Sequence, residues 1–151
     1  MKRAEFLRMI EIFPAELESV VKGLASGELN KKVVQWSLRQ VVHHIADSHL
    51  NSYIRIKMAL TEENPTIKPY NESAWAELPD YKQNIELSLA MIRSVHQRIT
   101  QVLKELDEKD WTRTLVHPEI GSLTLDQYLE IFATHGGRHL KFIIKSRRQG
   151  N

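Results

Sequence analysis

Four stretches of the chain repeat apolar side chains at three- and four-residue steps, the spacing that gathers them on one face of an α-helix. In residues 2–25 the row is Phe6, Met9, Ile10, Phe13, Leu17, Val20, Val21 and Leu24. In residues 38–60 it is Leu38, Val42, Ile45, His49, Tyr53, Ile56 and Leu60. Residues 83–107 contribute Ile85, Leu89, Ile92, Val95, Ile99, Val102, Leu103 and Leu106, and residues 125–145 contribute Leu125, Tyr128, Leu129, Phe132, Ala133, His139, Phe142 and Ile143. Each helix must hide one face from water, and no stretch alternates as a half-buried strand would. The helices therefore have to cover one another. The predicted fold class is all-α, a four-helix bundle, in one domain spanning residues 1–151, long enough to bury a real core.

Local chemistry sets the expected boundaries. Pro14 falls inside the first row and should kink or split that helix near Phe13. Gly27 is the expected stop, and residues 28–36 read as a connector. Ser37 stands three before Gln40, a capping box at the start of helix two, and Thr124 with Gln127 repeats it before the last helix. Residues 61–81 hold Pro65, Pro69 and Pro79, which prevent a long helix, and Tyr70, Trp75 and Tyr81, which argue for packing over disorder. A long ordered connection between helices two and three is expected, with a short helical turn around Glu72–Glu77. It can act as a crossover. A second loop, Trp111 to Ser122, contains His117-Pro118-Glu119, and the polar end from Lys145 to Asn151 should fray.

The absence of cysteine excludes disulfides, thiolate metal sites and a cysteine nucleophile. A formal net charge of +2, with Lys145, Arg147 and Arg148 near the end, is a poor footprint for nucleic acid. Glu5 interrupts the basic start and no long apolar run follows, so no signal peptide is expected. No run approaches the roughly 18 apolar residues of a membrane span. The expected location is the cytoplasm, without nucleic-acid or membrane partners.

The chemistry concentrates near the end of the chain. His135 and His139 stand four residues apart, so their imidazoles share a helix face and can aim at one point. Neutral imidazole is the commonest protein metal ligand, and a two-histidine clamp needs at least one more. Gly136 and Gly137 follow His135. Glycine inside a helix costs roughly 0.8–1.0 kcal/mol relative to alanine, so the pair gives up about 2 kcal/mol. Close approach of another helix or a ligand would offset that cost; the plainer reading is a kink. The third ligand lies among His43, His44, His49 and His117. His43 should point away from the core row. His49 lies on it, where a hydrogen-bonded core histidine is the ordinary role. His44 sits at the stripe's edge beside Val41 and Ser48, and periodicity alone favours it only modestly.

Trp36-Ser37-Leu38-Arg39-Gln40-Val41-Val42-His43-His44-Ile45-Ala46-Asp47-Ser48-His49 resembles the helix-two signature of the DinB/YfiT superfamily of metal-binding four-helix proteins. The similarity continues through Asn51-Ser52-Tyr53-Ile54-Arg55, Thr66-Ile67-Lys68-Pro69-Tyr70 and Trp75-Ala76-Glu77-Leu78. It includes His117-Pro118-Glu119 and the final His135-x-x-x-His139, features of the YfiT branch, and covers most of the chain from Leu24 onward. The resemblance implies His44, His135 and His139 as metal ligands. It also implies hydrolysis as the usual activity, with transfer of a low-molecular-weight thiol such as bacillithiol to an electrophile as the second reaction type. A non-catalytic metal-binding stress-response module is a third reading.

Three neutral nitrogen ligands leave an open coordination position, as in catalytic zinc sites, and zinc or nickel suits imidazole. Such a metal activates water at neutral pH. Asp47, one turn from His44, is a candidate acceptor or base, with an exposed carboxylate as its plainer reading. His117 could position substrate or simply form a turn. Asn51, Arg55 and Glu119 could touch substrate or pair locally. A small-molecule substrate and a homodimer complete the expectations.

Overall fold

A computed structural model describes residues 2–149. Its four long helices are α1 (Lys2–Val21), α3 (Leu38–Thr61), α5 (Ile85–Lys104) and α7 (Leu125–Gln149), with short α2 (Ser26–Asn30), α4 (Glu72–Ala76) and α6 (Glu108–Trp111) in the connections. The principal helix contacts are α1 with α7 and α5, and α3 with α5 and α7. Consecutive long helices α1 and α3 thus stand diagonally across the bundle, as do α5 and α7. The order is not a simple up-and-down one.

The apolar rows meet in two clusters. One includes Phe13, Leu17, Val42, Ala46, Ile92 and Leu140; the other includes Ile10, Ile56, Ile99, Phe132 and Ala133. On each helix the border between clusters falls at one level: between Ile10 and Phe13, Ala46 and Ile56, Ile92 and Ile99, Ala133 and Leu140. His49, His96, His135 and His139 occupy that level in sequence. A polar layer therefore divides the core, and the His135–His139 pair belongs to it.

Both expected capping boxes form. Ser37 Oγ accepts from the Gln40 amide at 3.1 Å and Gln40 Oε1 from the Ser37 amide at 2.9 Å. Thr124 and Gln127 make the same reciprocal pair at 3.2 and 2.9 Å. The first helix is not split at Pro14, one of the two outcomes expected there. It runs through Pro14 without a break and ends at Val21, and the chain turns at Gly23 (φ +81°), not at Gly27, which lies inside α2. Proline removes only one helical hydrogen bond, and surrounding packing can carry a helix past it.

Two antiparallel ribbons were not expected: β1 (Lys32–Val33) with β2 (Trp36–Ser37), and β3 (Thr114–His117) with β4 (Gly121–Thr124). Strands of two and four residues are too short for alternation to show. The second ribbon pins the long connection. The Ile67 amide donates to Val116 O at 2.9 Å and the Val116 amide to Pro65 O at 2.8 Å. The connection is ordered as expected, carries α4 at the anticipated turn, and buries Tyr81. Helix α7 continues past Lys145, where fraying was expected, to Gln149; Gly150 and Asn151 lie outside the described residues.

Candidate metal centre

His44 on α3 and His135 and His139 on α7 each offer one imidazole nitrogen, and the three atoms lie within 4.8 Å of one another. His135 Nε2 and His139 Nε2 are 3.1 Å apart. The ring centroids are 5.5 Å (His44–His135), 5.0 Å (His44–His139) and 4.5 Å (His135–His139) apart. His44 is buried, walled on one side by Trp36 at 4.9 Å between centroids, while His135 and His139 are half-buried.

Burial disfavours the imidazolium form. It pushes His44 down to about 4, aided by His139. His135 falls to about 3 through burial, then His139, His44 and Arg138, and His139 falls to about 4 through burial and Arg138. All three rings are neutral at pH 7 and keep a lone pair for a ligand bond. Zinc–imidazole bonds of about 2.0–2.1 Å at a tetrahedral angle separate two nitrogens by about 3.4 Å, close to the His135–His139 spacing. His44 Nδ1 is buried without a hydrogen-bond partner, and no protein group among the described residues competes for either nitrogen of that ring. These residues fit a divalent metal ion.

The other candidates have different surroundings. His43 is buried, not turned away from the core: Nε2 donates to Gln83 O at 2.9 Å and Nδ1 accepts from Ser88 Oγ at 2.6 Å. A helix packed on two neighbours buries more than one row, which a single-stripe reading misses. His49 is the hydrogen-bonded core histidine expected, 1% exposed. His117 Nδ1 accepts the amides of Glu119 and Ile120 at 3.1 and 3.2 Å, so its ring ties the β3–β4 turn, and Glu119 is exposed there. Asp47 is half-buried. Its Oδ2 accepts from the Tyr81 hydroxyl at 2.7 Å, and burial raises its carboxyl above the usual range against that bond. Asn51 donates to Asp47 O at 2.8 Å and Arg55 to Lys68 O at 3.1 Å, so both brace local backbone.

His96 escaped the sequence reading. It lies on the α5 seam with Leu89, Ile92, Ile99 and Leu103, and is 2% exposed. Its Nε2 is 2.7 Å from His49 Nδ1, and His49 Nε2 is 3.3 Å from His135 Nδ1. The signal was a histidine at heptad spacing in an apolar row, where Val95 was read instead.

The model of the DinB superfamily matches residues 9–143. The chain belongs to the DinB superfamily. This DinB protein is 45% identical over 141 residues to a protein of Oceanobacillus iheyensis named "putative metal-dependent hydrolase", covering 92% of this chain and 82% of that one. A Bacillus cereus protein of the same name is 45% identical over 148 residues, covering 97% and 86%. Among solved structures, YfiT from Bacillus subtilis, described as a probable metal-dependent hydrolase with an unusual four-helix bundle topology, superposes with a TM-score of 0.93 at 38% identity, over 98% of this chain and 87% of that one. The mycothiol-dependent maleylpyruvate isomerase shares the fold, with a TM-score of 0.73 at 14% identity over 93% of this chain and 60% of that one. No helix among the described residues of this DinB protein is long and apolar enough to cross a membrane.

Proposed function

We propose that this DinB protein is a metal-dependent hydrolase of a small molecule, with His44, His135 and His139 holding a zinc or nickel ion. The observation that carries this reading is the convergence of three neutral imidazoles from two helices within 4.8 Å, two of them half-buried. That exposure leaves a side for substrate to approach, and relatives at 45% identity carry the hydrolase name. A bound divalent ion there would supply Lewis-acid polarisation and a water nucleophile at neutral pH.

The chain's own residues set the conditions. Burial keeps the rings unprotonated, Trp36 closes one wall, and Asp47, one turn along α3 from His44, is the candidate base. Its carboxyl is raised by burial, although Tyr81 partly holds it down. His117 is the weaker candidate because its ring is committed to a turn. Without cysteine the chain needs no oxidising compartment, and the cytoplasm is the setting we propose.

The test is a panel of chromogenic esters and amides offered to zinc- and nickel-loaded protein, beside monochlorobimane with bacillithiol. Hydrolysis by the wild type, lost in His44→Ala, is the expected result. Bimane conjugation without hydrolysis would replace the reading with thiol transfer. Full metal occupancy with neither activity would leave a binding module.

A further inference from the structure

We infer that Ile10, His96 and His49 form a directional hydrogen-bond relay that fixes the proton of His135 on Nδ1 and leaves its Nε2 lone pair facing the metal centre. The inference rests on the proposed ligand role of His135 and makes His96 and His49 positioning residues.

The direction follows from one end. His96 Nδ1 lies 2.6 Å from Ile10 O. A carbonyl can only accept, so His96 Nδ1 carries the hydrogen. A neutral imidazole has one donor and one acceptor, so His96 Nε2 accepts from His49 Nδ1–H across 2.7 Å. His49 Nε2 is then the acceptor for His135 Nδ1–H across 3.3 Å. Only His135 Nε2 remains, 3.1 Å from His139 Nε2. Reversing His96 would require the carbonyl to donate, and reversing His49 or His135 alone would set two lone pairs against each other.

Two sequence features built into the bundle support this chain. Pro14 lacks the amide hydrogen that would bond Ile10 O four residues earlier in α1, so that carbonyl is free for His96. Gly136 has no side chain where α7 meets the relay. A Cβ there would lie 2.9 Å from Phe13 Cε2 and 3.2 Å from His49 Cε1. Phe13 also covers both rings, at 5.3 Å from His96 and 5.2 Å from His49. Phe132 covers them from α7, at 5.4 and 5.0 Å. His49 and His96 are 1% and 2% exposed, so bulk solvent does not compete for their ring nitrogens. Partners of this kind set the tautomer and orientation of a ligating histidine.

The first measurement uses wild-type protein stripped of metal. Nitrogen-15 shifts of the His135 ring should show Nδ1 protonated and Nε2 bare; a proton on Nε2 overturns the proposal, whatever the metal does. The second compares variants by zinc competition with a chromophoric chelator. His49→Gln and His96→Gln keep one donor and one acceptor in each position and should bind zinc close to wild type. His49→Leu and His96→Leu break the relay and should weaken binding by about 10–100-fold. Equal affinity of the glutamine and leucine variants overturns the relay. Wild-type protein that binds no zinc while its His135 shows the Nδ1–H form would overturn the metal reading and leave the relay standing.

Discussion

A histidine kept neutral by burial refuses a proton that the unfolded chain accepts. In the metal-free protein His44, His96 and His139 are held near 4 and His135 near 3, against an ordinary value of 6.5. Above pH 6.5 neither state is protonated and stability is at its plateau. As the pH falls toward 4 the unfolded chain takes up protons and the folded one does not, so stability is lost across that window, by up to ~1.4 kcal/mol per pH unit for each group. Urea unfolding at a series of pH values should show a shallower loss for His96→Gln than for wild type; parallel slopes would contradict the neutral assignment. At the ligands, His44→Ala, His135→Ala and His139→Ala should each remove most of the bound metal, read by elemental analysis after gel filtration. Full occupancy in all three would remove the site.

At the scale of the helix, the two glycines of α7 behave as opposites. A Cβ at Gly136 collides with Phe13 and His49, whereas one at Gly137 meets Met9 Cε at 3.7 Å, an ordinary contact. Gly137→Ala should stabilise by up to about 0.8–1.0 kcal/mol through helix propensity. Gly136→Ala should destabilise by about 1–3 kcal/mol from overpacking, despite the same propensity gain. Thermal melts of the two variants settle the sign. The sequence pointed to close approach at the double glycine without saying which residue needs it. It also marked Ser37 and Thr124 as helix starts, because capping is local chemistry. It missed that α1 passes Pro14 unsplit, because packing from distant parts of the chain carries a helix past a proline, and it missed the ribbons, because strands of two to four residues are too short to carry a pattern. His43 was misplaced because its partners Gln83 and Ser88 lie some forty positions away.

For the whole molecule, four apolar rows were enough to predict the bundle, but not the diagonal placement of α1 against α3 and of α5 against α7. Periodicity says which face is buried and is silent on the neighbour. The histidine pair on α7 was legible at once; the choice of His44 came from family resemblance, and His96 was hidden as one more member of a seam. A cation held between α3 and α7 would tie together helices from distant parts of the chain. Binding only to the folded state stabilises it by about 2.7 kcal/mol at a free metal concentration 100-fold above Kd, or about 5–10 °C in Tm for a chain of this size. Chelation should lower the wild-type Tm by that order and leave the His44→Ala variant unmoved. Equal shifts in both would place the stabilising ion elsewhere.

The most direct examination of the central claim is an anomalous-scattering map from crystals grown with zinc and recorded on both sides of its absorption edge. The expected result is one strong peak between α3 and α7, bonded by nitrogens of His44, His135 and His139 with a non-protein ligand completing the shell. A well-ordered His44 ring pointing away from an empty gap, with zinc bound at another place, would contradict it.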